Sequence, residues 1–450
     1  MTRPELPRPP SRPDNAGILA RLRLFRADMF RSQPERLYRA WMARMRSPLG
    51  QSVLVNDPEL VREVLDKRPM AFPKARGIGA ALRPLLGNAV FVTNGAQWQA
   101  QRRLIDPAFA AGRLKESFPA MAAAIKDGVQ RLEGGRREVE FEMSHMAADI
   151  IFRTLFSMPL DAPRAREVFE AFRDYQRSQP LLSPGALFPL PRSIAPVPGR
   201  AEARRLRQML GALVAERRAA IARGDAPDDL STRIMTTADP ETGAQFSETE
   251  MVDQVAIFFL AGHETSASAL SWALYCLSLD PQAQDEVCAE AEALGTDGPS
   301  FSDLSALPFT RDVFREALRL FPPVPMMVRQ STRPEVFRKT RLRKGALVIL
   351  SPWHMHRHDR LWPNPDRFDP WRWQSDDTRA LARQAYIPFS RGPRVCSGAG
   401  FAMMEGTLAL ALLIKAFRFK PTEHVPVPVA HLTVRAQDGI VLELERRTET

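Results

Sequence analysis

The stretch Phe389–Gly398, FSRGPRVCSG, decides how this chain is read. It holds one of only three cysteines in 450 residues, and a long apolar run, GAGFAMMEGTLALALLIKAF, begins at its last residue. That run predicts a helix of about 399–418 starting just beyond Cys396. A helix N-terminus offers free N–H groups and the positive end of its dipole, so it stabilises a thiolate. Gly392 and Gly398 let the backbone fold tightly and turn amides toward the sulfur. A thiolate in that setting could be a nucleophile or a metal ligand. A nucleophile wants a histidine base; the local sequence has none and offers Arg394, which suits an anionic cofactor. Taken alone, the segment still admits a buried, inert cysteine as its simplest account.

Bulk composition narrows the field. A chain of 450 residues exceeds the usual single core, so one large domain with sub-lobes or two domains both fit. At 44% hydrophobic it can bury a sizeable core. Cys276, Cys288 and Cys396 are an odd, sparse set, which gives no disulfide framework and points to a reducing compartment. The start, MTRPELPRPPSRPDN, is polar and proline-rich, without a secretory pattern. No stretch reads as a membrane span; the longest candidate, VAIFFLAG, stops at His263 and Glu264. The expectation is a cytoplasmic protein with no transmembrane segment. Net charge is 63 − 52 = +11. The arginines are scattered and not interleaved with aromatics, which argues against nucleic acid and for an acidic protein partner.

Along the chain, residues 1–15 read as a flexible tail and 17–31 as a basic amphipathic stretch, either on a membrane surface or docked on the domain. PERLYRAWMARM reads as helical, SVLV as a strand, and DPELVREVLDK as a helix capped by Asp57 with Pro58 at its first position. From about 95 to 320 the pattern is mostly helical. The proline-rich stretch 178–199 interrupts it, as a lid or a plain connector. Residues 246–279 predict one very long helix, with Ser247 and Glu250 as a capping box. It is apolar nearly all round and should cross the core. Past residue 320 come prolines and short β-like runs such as ALVILSP. The fold class is mainly α with small β-sheets.

Four further segments bear on chemistry. EALR puts Glu316 and Arg319 on one helical face, and WQAQR does the same for Trp98 and Arg102. In the long helix, AGHETS sets Glu264 and Thr265 in apolar surroundings, where a carboxylate is costly without a task or a partner. Gly262 there lets something large come close to the helix. PWRW, residues 370–373, keeps Arg372.

Together these resemble the heme-thiolate monooxygenases, the cytochrome P-450 superfamily. F-x-x-G-x-R-x-C-x-G is complete as Phe389, Gly392, Arg394, Cys396 and Gly398; A/G-G-x-E/D-T is complete as Ala261, Gly262, Glu264 and Thr265. E-x-x-R is Glu316 and Arg319, and W-x-x-x-R is Trp98 and Arg102. P-E-R-F appears as Pro370, Trp371, Arg372 and Trp373, with Trp371 in place of the glutamate. Order and spacing fit from about residue 34 to the end, so 1–33 would be a tail and 34–450 a single domain.

The resemblance implies roles. Heme b would lie between the core helix and the cysteine loop. Cys396 would be the axial thiolate on its iron, with Phe389 shielding the sulfur and Gly398 among the residues around it. Trp98, Arg102, Arg394 and, by position, Arg329 would bind the heme propionates. Ala261 and Gly262 would face the cofactor. Thr265 would hold dioxygen and an ordered water, and Glu264 would relay protons. Glu316, Arg319 and Arg372 would form a buried structural network. The activity implied is insertion of one oxygen atom into an apolar lipid-like substrate, a fatty acid or a terpenoid or carotenoid. A separate ferredoxin or flavodoxin-like protein would supply electrons. Two rivals stay open: a peroxide-driven enzyme on the same fold, and a heme protein that only binds or senses ligands. Residues 72–91, the 178–199 stretch, Phe258, Ala261 and Val324–Val328 are expected to line the substrate pocket, with Arg76 and Arg83 near it. His354, His356 and His358 sit at strand spacing like a metal site but are expected to be structural, as are Cys276 and Cys288.

Overall fold

The computed structural model describes residues 4–447 apart from 7, 18–19, 21–22, 26–27, 48–49, 179–198, 295–298 and 431. The proline-rich stretch falls largely outside these residues, as does much of the amphipathic stretch 17–31. Two compact units emerge. One comprises Met1–Pro73, Ile125–Ser144 and Thr265–Thr450; the other comprises Lys74–Ala124 and His145–Glu264.

The second unit is helical. It contains the helices Arg76–Leu86, Gly95–Ile105, Pro163–Ser178, Arg200–Arg223 and Leu230–Thr236. All strands among the described residues lie in the first unit. Its four-stranded sheet runs in the order Met42–Ser47, Gly50–Val55, Leu347–Leu350, Met327–Gln330. A three-stranded sheet puts Val441–Arg446 between Gly135–Glu138 and Phe417–Pro421. The core helix, Glu248–Ser278, starts as expected: Ser247 Oγ accepts the Glu250 N–H at 3.3 Å, and Glu250 Oε2 accepts the Ser247 N–H at 3.0 Å. The apolar run after Cys396 is the helix Ala399–Ala416, packed against the helices Pro281–Glu292 and Pro308–Leu320. By length and composition it could cross a membrane, a match that the sequence reading passed over. With 61% of that window buried inside the protein, it is a core helix.

Two local expectations fail. Of the stretch 34–45 read as helical, Glu35–Tyr38 is a short 3-10 helix, but 42–45 belong to the strand Met42–Ser47, because the antiparallel ladder with Gly50–Val55 outcompetes local propensity. The tail also does not trail free. Leu6 is 2% exposed, its N–H donates to the Asp366 carbonyl at 2.9 Å, and Arg8 reaches Asp366 and Asp359 at 2.8 and 2.6 Å. The Asp57 cap on the Pro58–Arg62 helix and the strand Leu347–Leu350 are as expected.

Candidate heme-thiolate site

Cys396 sits in a tightly wound loop. Gly392 has φ +67°, and a Cβ there would overlap the Leu65 carbonyl, so only glycine fits. Arg391 holds the same neighbour chain through Asp66 at 2.8 Å. The Cys396 N–H donates to the Phe389 carbonyl at 2.9 Å, which turns the loop back on itself. A Cβ on Gly398 would lie 4.0 Å from the Cys396 Sγ, so the start of the Ala399–Ala416 helix faces the sulfur. Cys396 is exposed whereas Cys276 and Cys288 are buried. Burial pushes the Cys276 thiol up, away from thiolate chemistry.

Arg329 stands on the strand Met327–Gln330 and is 7% exposed, as is Arg394. Burial and then the Arg394 charge pull the Arg329 guanidinium down to about 10. Among the described residues its Nε has no hydrogen-bond partner. A buried cation beside a like charge is unfavourable unless an anion joins it. Arg329, buried against Arg394, therefore fits a cofactor that carries carboxylates.

The expected buried network is formed. Arg319 and Glu316, both fully buried, form a fork at 2.9 and 2.8 Å. Arg319 also donates to the carbonyls of His356, Pro365 and Arg367. Glu316 accepts from Arg372 at 2.9 Å and from the Trp373 indole at 3.1 Å. Every charge is satisfied, which a buried pair requires. Trp371, in place of the family's glutamate, packs on Phe309 with ring centroids 4.8 Å apart.

On the core helix, Ala261 is exposed and Phe258, Gly262 and Thr265 are half-buried, while Phe259, Leu260, His263, Glu264 and Ser266 are buried. The spacing i, i+3, i+4, i+7 defines one uncovered stripe on an otherwise buried helix. Such a face suits a flat apolar group. The close neighbour that Gly262 admits is Ile151 of the helix Val139–Phe156. His263 lies edge-on to Phe169 and Phe172, at 5.6 and 5.5 Å. Glu264 is 8% exposed; burial first, and then Glu264, push the Tyr175 hydroxyl up. Trp98 is 4% exposed, with Arg102 Cζ 6.0 Å from its ring and Arg102 Nε on Asp106 at 2.8 Å.

Within the first unit lie Thr265, Arg329, Phe389, Arg394, Cys396 and Gly398; within the second lie Trp98, Arg102, Ala261, Gly262 and Glu264. Sequence reading missed Glu405, which is fully buried in the Ala399–Ala416 helix and accepts the Ser266 hydroxyl at 2.7 Å. A lone carboxylate in an apolar run was the available signal. The three histidines do not form a metal site. Pro352–His356 is a short helix, and no cluster of three metal-ligating residues exists among the described residues.

The family model for cytochrome P450 matches residues 17–443. The chain belongs to the cytochrome P450 family. It is similar to cyclooctat-9-en-7-ol 5-monooxygenase of Streptomyces melanosporofaciens, 33% identical over 83% of this chain and 81% of that one. Pentalenene oxygenase of Streptomyces avermitilis is 33% identical over 87% of each chain. The solved heme domain of cytochrome P450DA superposes with a TM-score of 0.79 at 25% identity, covering 100% of this chain and 99% of that one. This P450 chain is therefore a monooxygenase with a heme-thiolate cofactor, an apolar substrate and a redox partner.

Proposed function

We propose that this P450 holds heme b, with Cys396 as the residue that would supply its thiolate ligand, and hydroxylates or epoxidises a terpenoid. The observation that carries the cofactor assignment is the exposed Cys396 at a helix start, with Arg329 buried against the like charge of Arg394 two residues before that cysteine. When bound, the heme with its thiolate supplies the oxygen-activating chemistry, because electron donation from sulfur favours O–O cleavage. The chain's own residues do the rest. By the family resemblance, Arg329, Arg394, Arg102 and Trp98 are the residues that would bind the propionates. Phe389 would shield the sulfur once the cofactor is in place, with Gly398 packed beside it. Ala261 and Gly262 would face the cofactor, and the Thr265 hydroxyl would orient a water. Glu264, buried one residue away, passes protons to that water. The pair favours use of dioxygen over a peroxide-driven or purely sensing role.

The terpenoid reading rests on the names of two relatives, one built on an alkene and one on an unsaturated alcohol. A fatty acid is the second reading, favoured by Arg76 and Arg83, exposed seven residues apart on the Arg76–Leu86 helix. The +11 charge suits an acidic ferredoxin or flavodoxin-like electron donor. A cytoplasmic setting accords with the sparse free cysteines.

The test is the absorption spectrum of reduced, carbon monoxide-treated protein, wild type beside Cys396→Ala. A red-shifted thiolate-type Soret band, lost in the variant, is expected. A histidine-type band in wild type would overturn the assignment. Titration with pentalenene and with lauric acid then separates the two substrate readings by which one shifts the resting spectrum.

A further inference from the structure

The structure ties the end of the Arg76–Leu86 helix to two other elements through one buried carboxylate. Asp253, on the core helix, is 3% exposed. Its Oδ2 accepts the Asn88 N–H at 2.7 Å, and its Oδ1 lies 2.7 Å from Arg207 Nη2. Arg207 belongs to the Arg200–Arg223 helix, and its Nη1 donates to the Leu85 carbonyl at 2.7 Å. Gly87 has φ +50°, and a Cβ there would overlap the Asp253 carboxylate. The backbone thus comes as near to this carboxylate as glycine allows. Gln254, next along the core helix, accepts the Val90 N–H at 3.0 Å. Gln101, from the helix that carries Trp98 and Arg102, donates to the Asn88 carbonyl at 2.7 Å. All of these residues lie in the second unit.

A surface connector rarely spends two core-helix side chains on its backbone amides. A buried carboxylate satisfied by a backbone N–H and an arginine is strong when whole and costly when half-broken. Loss of the Arg207 partner would leave the buried carboxylate with the Asn88 N–H. Asp253 lies eleven residues before Glu264, about 16 Å along the helix axis at 1.5 Å per residue. The segment it pins, 87–92, carries exposed Phe91, at 41%. The Arg200–Arg223 helix opens directly after the proline-rich stretch.

We propose that Asp253 and Arg207 form a latch that positions segment 87–92 and controls entry of the apolar substrate. The proposal rests on the reading of residues 72–91 as a wall of the substrate pocket. Asp253 and Arg207 are positioning residues: they touch the wall, not the reacting atoms. With the latch paired, the segment is held and bulky ligands enter slowly. With it broken, they enter and leave faster, while chemistry at the heme is unchanged.

The first readout is hydrogen exchange at the Asn88 and Val90 amides, which needs no cofactor. Asp253→Asn should raise exchange at both about tenfold or more. Arg207→Met should do the same more weakly, and Arg207→Lys should restore most of the protection. The second readout is stopped-flow binding of 4-phenylimidazole to the holoenzyme. Association and dissociation should both quicken severalfold in Asp253→Asn and Arg207→Met, with unsubstituted imidazole unaffected and the carbon monoxide spectrum as in wild type. Unchanged exchange at Asn88 in both variants would overturn the latch. Faster exchange with unchanged 4-phenylimidazole rates would overturn its control of entry. If Asp253→Asn does not fold, the Arg207 pair decides both points. A wild type without a thiolate spectrum would sink the functional reading instead, and exchange would still report on the latch.

Discussion

Glu405 shows what a single residue can carry unnoticed. Burial pushes its carboxyl up to about 8, and the Ser266 hydroxyl offsets part of that. Because the folded state binds its proton more tightly than the unfolded chain does, the group's favourable contribution is complete below pH ~4.5 and is lost as pH rises toward 8. Unfolding free energy of wild type should therefore fall by a few kcal/mol across that window. Glu405→Gln should flatten the fall, and chemical denaturation at pH 5 and pH 8 checks it. An equal slope in both proteins would show that Glu405 is ionised in the fold. Cys396 was legible from its neighbours, because glycine, arginine and a helix start are local features. Glu405 was not, because its cost depends on what packs around it.

At the scale of elements, Gly406 pits two effects against each other. Alanine at a helix interior is favoured over glycine by about 1 kcal/mol. A Cβ on Gly406 would overlap the buried Phe314 ring of the facing helix Pro308–Leu320. Overpacking of that kind costs about 1–3 kcal/mol. Packing should win, so Gly406→Ala should lower the denaturation midpoint despite the better helix former; a raised midpoint would mean that the two helices slide apart freely. Helix periodicity made the long helices readable, and a capping box even placed the start of the core helix. The strand Met42–Ser47 was misread as helix because its identity lies in its partner Gly50–Val55, not in its own residues.

Across the whole molecule, the N-terminal residues act as a strap. Arg8 and Arg357 share Asp366, and Arg357 is fully buried. Leu6 adds burial worth about 2 kcal/mol. Deleting residues 1–12 should lower the melting temperature by roughly 5 °C and leave the carbon monoxide spectrum intact. An unchanged melting temperature would mean that the strap only rests on the surface. Nothing in MTRPELPRPP signals this docking, since polar, proline-rich termini usually trail free.

By itself the sequence determined the family, the long helices and the identity of the motif residues. Those depend on residue types at short fixed spacings, which survive without knowledge of neighbours. Tertiary structure alone decided that Arg329 is buried against a like charge, that Ala261, Gly262 and Thr265 form an open stripe, and that Asp253 joins three elements. Each is a matter of burial and of contacts between residues far apart in the chain, here Leu85, Arg207 and Asp253. Desolvation and long-range pairing set those energies, and no local spacing encodes them.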